Sequence, residues 1–409
     1  MTGLDHQAER LKAARNRKGW SQSRLAATME EVARRLSKVG DLPPGGRQTL
    51  IQYISYFENG KRAVPERLRP IFCEVFQASN EDLGLTAATP KPMGLVRLPE
   101  LPAEHLRSSG PIVISSLRMV LEANLRADAQ IGPSYLIPAI QAQLPVIEQI
   151  CRMTRNGDHE EALRIGSQFT EFCGWLYQDS GDNECAMYWT ERSLEYAIEL
   201  DDRRVISYVL MRKSNIATDA GQPGQGLGLA NAALKQRGHL TPRLQAVVLR
   251  QRANAYAMLH ERSNFARDAD EAFEQAIVGT SQGESDLAPY CTPSYVEMEA
   301  GASWVKLNSA KAALPVFEES RTSWNAVEQV RDRALCLARL ATAHAATGEV
   351  EQACAVAEEL IAVAGGLSSA RVSTQVADLR RSLVSGQQNL AVRDLLRRLE
   401  AFKNPLRTI

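Results

Sequence analysis

Short turn-like groups recur along this chain at a nearly fixed interval: Ser180-Gly181-Asp182, Ala220-Gly221-Gln222, His260-Glu261-Arg262, Leu307-Asn308 and Thr347-Gly348-Glu349. They are spaced by about 40, 40, 47 and 40 residues. Five residues beyond each turn stands a small residue, Ala186, Gly226, Ala266, Ala313 or Ala353, where bulk would hold two helices apart. The segments between turns read as helices throughout. A repeat of this length with one turn inside it is a helix hairpin, and a lone hairpin cannot bury its apolar face, so such units stack. The region from about residue 115 onward is therefore expected to be an α-solenoid. Gly157-Asp158 with Ala162 shows the same local pattern but lies 24 residues before Gly181, out of register. The first hairpin is not defined by sequence.

At 409 residues the chain is too long for a single core, and the segment ahead of the array reads as a separate small helical unit. Ala8, Leu11 and Ala14 mark a helix from Asp5 to about Lys18, stopped by Gly19. Ser21 is an N-cap for a second helix, whose stripe Leu25, Ala26, Met29, Val32, Ala33 and Leu36 runs on toward Gly40. The loop Asp41 to Arg47 contains two prolines and two glycines. A third helix follows from Gln48 to Glu58, ended by Asn59-Gly60. A fourth spans Pro65 to Gln77, with a last turn closing near Leu85. Beyond it, Pro90, Pro92, Pro99, Pro102 and Pro111 read as a semi-rigid spacer. The expected organisation is all-α: a head at 1–85, a proline-rich linker at 86–114 and a helical repeat body at 115–409.

Net charge is zero over the chain, yet residues 1–75 carry 14 Lys and Arg against 8 Asp and Glu, a net of +6, leaving −6 for the rest. A basic head on an acidic body fits a nucleic-acid contact at one end. No apolar run reaches 18 residues and the start is amphipathic and charged, so a cytoplasmic protein with no membrane partner is expected. The seven cysteines are scattered without a CxxC pair and read as reduced, mostly buried side chains. The six histidines form no metal-binding spacing, and no Walker loop, GxGxxG or GxSxG is present. No catalytic residues, metal ligands or cofactors are expected, and His159-Glu160-Glu161 reads as a charged helix start.

Three stretches of the head, LKAARNRKGWSQSRLA, YISYFENGKRAVP and FCEVFQASNEDLGL, carry a resemblance to the XRE (phage-repressor-like) helix-turn-helix family. The most specific phrase is Ile54-Ser55-x-x-Glu58-Asn59-Gly60-Lys61-Arg62. Physically, the start of the second helix offers Gln22 and backbone N–H groups to a phosphate. The third helix presents Gln48, Thr49, Ile51, Gln52 and Tyr56 for base edges and thymine methyls in a major groove. Asn59, Lys61 and Arg62 follow at its end, toward the flanking backbone. The resemblance implies that Gln52 and Tyr56 read bases, that Gln22 clamps a phosphate, and that Arg15 and Glu58 form a structural ion pair. Ile51 falls where polar residues are commoner. The connection from Met29 to Arg47 is longer than the family's usual turn, and Arg34, Arg35, Lys38 and Arg47 in it are either phosphate contacts or a solvated face, with Arg47 favoured because it precedes the recognition helix.

The second region resembles tetratricopeptide-type arrays, with a longer period and sparse consensus aromatics. Head and body together resemble XRE-plus-repeat regulators of Gram-positive bacteria, some of which answer to signalling peptides. This implies double-stranded DNA and a peptide or small-molecule effector, and since one compact head reads few base pairs, a homodimer on a near-palindromic operator is expected. Asn215, Gln251 and Asn254, on first helices shortly before a turn, are the candidate ligand contacts, or else caps facing water. Trp175, Tyr188, Trp189, Trp304 and Trp324 are read as packing between hairpins. The acidic body or the C-terminal helix, Asn389 to Phe402, is the candidate dimer interface. The competing reading is a protein-interaction scaffold in which the head is only a tether.

Overall fold

The computed structural model describes residues 3–36, 42, 46–59, 64–65, 68–80, 82–85, 103–280, 286–325, 329–365, 367, 369–384 and 388–400. All regular structure among them is helical, and the chain divides into two compact units, Met1–Gly94 and Leu95–Ile409.

Among the described residues the head holds four α-helices: α1 (Gly3–Arg17), α2 (Gln22–Arg35), α3 (Gly46–Glu58) and α4 (Arg69–Phe76). Gly19 turns the chain in the left-handed region, and the Ser21 hydroxyl accepts the Arg24 N–H at 3.1 Å to start α2. Leu25, Ala26, Met29, Val32 and Ala33 of α2 bury one stripe against Leu50, Ile54 and Phe57 of α3 and Ile71, Phe72, Val75 and Phe76 of α4. Helix α4 begins later than the expected Pro65, at Arg69, because Pro70 has no N–H and is tolerated only in a first turn. The C-terminal extension of α2 toward Gly40 lies outside the described residues beyond Leu36.

The second unit opens with α5 (Ala103–Ile131), α6 (Pro133–Gln141) and α7 (Leu144–Met153). The linker is thus shorter than the expected 86–114: residues from Ala103 are helical, and Pro111 lies inside α5. The proline density ends at Pro102, and Ile114, Leu117 and Leu121 already form a buried helical stripe that outweighs the single lost N–H.

Six antiparallel hairpins follow. They are α8 (Asn156–Ser180) with α9 (Asn183–Glu199), α10 (Arg203–Asp219) with α11 (Pro223–Leu234), and α12 (Pro242–Met258) with α13 (Arg262–Thr280). Then come α14 (Pro293–Lys306) with α15 (Ala310–Arg321), α16 (Val330–Thr347) with α17 (Val350–Ala364), and α18 (Ala370–Leu383) with α19 (Leu390–Leu399). All five expected turns fall between the paired helices. In each, one residue adopts a left-handed backbone: Gly181, Gly221, His260, Asn308 and Gly348. This position ends the first helix of the hairpin, and glycine occupies it where it can. Gly157 and Asp158 lie inside α8 and make no turn.

The small-residue rule holds at Ala186, Gly226, Ala313 and Ala353, all buried. A Cβ on Gly226 would lie 2.2 Å from Thr218 Oγ1 and 3.1 Å from the Ser214 carbonyl, so α10 and α11 approach as closely as backbones allow. In the α12–α13 hairpin the expectation at Ala266 fails: the buried residue at that level is Phe265, accommodated because Ala253 and Ala257 on α12 make room for its ring. The candidate dimer helix α19 buries Val392, Leu395 and Leu399 in its own body, leaving Leu390 exposed, so its apolar stripe is already used. No helix among the described residues is long and apolar enough to cross a membrane.

The array also closes on itself. Asp179 at the end of α8 accepts the Ser369 hydroxyl, at the start of α18, at 2.6 Å. Arg331 of α16 lies 2.8 Å from Asp128 Oδ2 on α5, donates to the Asp128 carbonyl at 2.9 Å, and places Nε 3.4 Å from Asp179 Oδ2. These contacts join residues 190 and 203 positions apart. The body is an α-solenoid of tetratricopeptide-like hairpins whose first and last members touch.

Candidate functional site

In the head, the ion pair expected between Arg15 and Glu58 is present and bidentate, with Nε to Oε1 at 2.6 Å and Nη2 to Oε2 at 2.9 Å. Arg15 Nη1 also donates to the Trp20 carbonyl at 2.6 Å. The hydrogen bonds that Arg15 donates to Glu58 hold its guanidinium more firmly protonated than usual. Gln22, expected to clamp a phosphate, donates Nε2 to Glu58 Oε2 at 2.8 Å. One of its amide hydrogens is therefore engaged within the head, tying the start of α2 to the end of α3.

On α3, Gln48 and Gln52 are exposed, and Gln52 Nε2 donates to the Tyr56 hydroxyl at 2.8 Å. The two residues aligned with base reading thus brace each other on one accessible face. Thr49 is half-buried, and Ile51 packs against the head core, which removes it from the set facing outward. Its position, three residues before Ile54, turns it toward the apolar side of the helix. Arg47 is exposed and held by Glu30 through Nε at 2.9 Å and Nη2 at 2.6 Å, so any phosphate it meets must compete with a carboxylate. Asn59 donates to the Ser55 carbonyl at 2.7 Å, capping α3. Arg35 pairs with Glu74 at 2.5 Å. Lys61, Arg62 and Lys38 lie outside the described residues.

In the body, the first helices of the hairpins converge on a polar cavity of about 500 Å³, within the range of small-molecule sites. Asn215 and Asn254 line it, and Gln251 stands just behind, fully buried. Asn215 Nδ2 donates to Gln251 Oε1 at 3.0 Å, and Asn215 Oδ1 accepts from Gln178 Nε2 at 2.8 Å. Asn254 Oδ1 accepts from Lys306 Nζ at 3.0 Å. Of the three amides chosen from sequence, two reach the cavity and the third orients one of them.

The far wall is charged. Lys306, Glu299, Arg339, Arg371, Asp378 and Arg381 project from α14, α16 and α18. Burial alone would push the Glu299 carboxyl up, but Arg339 at 2.9 Å, with Arg250 and Arg371, holds it well below the usual range. Burial, reinforced by Arg339, lowers the Lys306 ammonium even though Asp219 and Glu299 act in the opposite direction. Trp175 is more than the packing residue expected: three guanidiniums, Arg212, Arg331 and Arg371, stand 5.2, 5.2 and 5.3 Å from its ring. Its Nε1 donates to Asp128 at 2.9 Å. None of the charged wall was marked from sequence, since its members come from three hairpins and share no local motif.

No known protein-family description matches the chain, and no curated protein does. Among solved structures, a Rap protein complexed with competence and sporulation factor aligns at 13% identity over 74% of this chain and 88% of that one, with TM-score 0.48. A signal-transduction ATPase with a tetratricopeptide repeat sensor, from Pyrococcus horikoshii, aligns at 11% identity over 93% of this chain and 62% of that one, with TM-score 0.42.

Proposed function

We propose that this protein is a sequence-specific DNA-binding transcriptional regulator, not an enzyme, whose repeat body takes a signalling ligand in its central cavity. The carrying observation is the outward face of α3. Gln48, Gln52 and Tyr56 stand on a short helix fixed to its neighbours by the Arg15–Glu58–Gln22 network. A rigid helix with amides and a phenol on its free side is suited to hydrogen-bonding base edges, and the surplus of basic residues in the head supplies attraction to phosphates. Lys61 and Arg62 belong to this reading as backbone contacts.

One head covers few base pairs, so a homodimer on a near-palindromic operator is part of the proposal. With the apolar stripe of α19 packed into its own body, the dimer seam falls to the exposed apolar side chains of the first body helices: Ile112, Met119, Leu125, Ile131 and Tyr135. The same surface favours the second reading, a scaffold that binds another protein while the head serves as a tether. Fluorescence anisotropy of the full chain against its own upstream region tests the first reading. Gln52→Ala with Tyr56→Ala should erase the difference between operator and random duplex, a loss of about 10- to 100-fold in preference. Equal affinity of the unaltered protein for both duplexes, together with a monomeric mass at all concentrations, would leave the scaffold reading standing alone.

A further inference from the structure

The geometry points to a small organic oxyanion, a carboxylate or a phosphate, as the ligand of the body cavity, held by Arg371 and Lys306. This rests on the reading of the cavity as the signal site and specifies what enters it.

The cations around the cavity are unevenly partnered. Three guanidiniums crowd the Trp175 ring, and two of them are neutralised nearby: Arg212 by Glu171 at 2.7 Å, and Arg331 by Asp128 and Asp179. Among the described residues the one ion-pair contact of Arg371 is Glu299 at 3.8 Å, outside hydrogen-bond reach and already engaged by Arg339, while Asp219 and Asp179 act on it only at longer range. No hydrogen bond of the Arg371 guanidinium is satisfied among the described residues, although the group carries five N–H donors and the residue lines the cavity. Lys306, an exposed residue lining the cavity, has the Asn254 amide oxygen as its one hydrogen-bond partner among the described residues, with Asp219 and Glu299 acting only at longer range.

The cavity carboxylates, by contrast, have donors. Glu299 has Arg339, Asp378 has Arg381, and Asp219 accepts from Gln178 at 2.7 Å. Four cations against three carboxylates line the space, so the excess is positive. Burial lowers the Lys306 ammonium despite Asp219 and Glu299, so an anion arriving beside it would restore the charge that burial disfavours. Bidentate acceptance of two N–H groups is what a carboxylate or phosphate offers a guanidinium. The neutral amides Asn215 and Asn254 on the opposite wall then contact the rest of a ligand that a space of about 500 Å³ limits to the size of a nucleotide or a very short peptide.

Thermal-shift and calorimetric titrations of the full chain with inorganic phosphate, AMP, succinate, triglycine and triglycine amide test this. At least one of the first four should give a saturable rise in midpoint that falls with added chloride. AMP and phosphate against succinate and triglycine separate the two oxyanion sources, and triglycine amide should fail where triglycine succeeds. Arg371→Gln and Lys306→Met should each weaken the binding by about tenfold or more, measured on variants whose circular dichroism matches that of the unaltered protein. Absence of any saturable shift, or a shift undiminished in both variants, overturns the assignment. Anion binding that persists while operator preference is absent would instead refute the regulator reading and leave this one intact.

Discussion

Arg331→Met removes the cation that joins α5, α8 and α16. Arg331 lies 2.8 Å from Asp128 and 3.4 Å from Asp179, and both carboxylates are buried, Asp179 completely. Methionine retains most of the aliphatic volume, so the cost comes from two buried carboxylates that lose their principal cation, Asp179 keeping only the more distant Arg371, roughly 3–5 kcal/mol for breaking such a pair. At about 2–4 °C per kcal/mol, the thermal midpoint of the body should drop by roughly 10 °C. The pH dependence supplies a second readout. Burial raises the Asp179 carboxyl, opposed chiefly by Arg331. A carboxyl raised in the folded state costs stability as pH climbs from its unfolded value through its folded one. Without Arg331 the folded value climbs further, so the deficit of the variant should be greatest near pH 8 and narrow near pH 5. Urea unfolding followed by circular dichroism at both pH values measures it. Adding Asp128→Asn and Asp179→Asn should recover most of the loss, because no unpaired charge then remains. A deficit below about 1 kcal/mol at pH 8, or one equal at the two pH values, would refute the account.

Other substitutions probe the hairpins. Gly226→Ala should destabilise by about 2–3 kcal/mol, since its new methyl meets the Thr218 hydroxyl and the Ser214 carbonyl, and denaturant midpoints will show it. His260→Gly relieves a left-handed backbone at φ 61° and should raise stability by about 0.5–1 kcal/mol, with no change in helix content. Glu297 is pushed up to about 7 by burial and by the neighbouring Glu319. The protein should therefore lose stability as pH rises from about 4.5 to 7, and Glu297→Gln should abolish that loss, gaining roughly 1–3 kcal/mol at pH 8 and nothing at pH 4.

The hairpin turns were legible because a left-handed residue must recur where each first helix ends, and Gly181, Gly221 and Gly348 announce it; His260 and Asn308 were found by spacing alone. The Arg15–Glu58 bridge was legible only through the family resemblance, because the two residues stand 43 positions apart in separate stretches. The cavity was only half legible. Asn215 and Asn254 follow the helical period of their own hairpins, whereas Lys306, Arg339 and Arg371 acquire meaning only when three hairpins converge. Trp175 looked like a packing ring because its guanidinium neighbours lie far along the chain at Arg212, Arg331 and Arg371. The proline count misplaced the end of the linker, since Pro111 sits within a helix that buries enough apolar surface to carry it.

Open repeat arrays gain or lose a unit at modest cost, because each unit answers only to its neighbours. The Ser369–Asp179 and Arg331–Asp128 contacts deny this chain that freedom. Excising or duplicating one hairpin would rotate Ser369 and Arg331 away from their acceptors and strand two acidic side chains, so the number of hairpins is locked by the same bonds that shut the body. Change in such a molecule is confined to substitution within hairpins, and a ligand that fits between them acts on all six together.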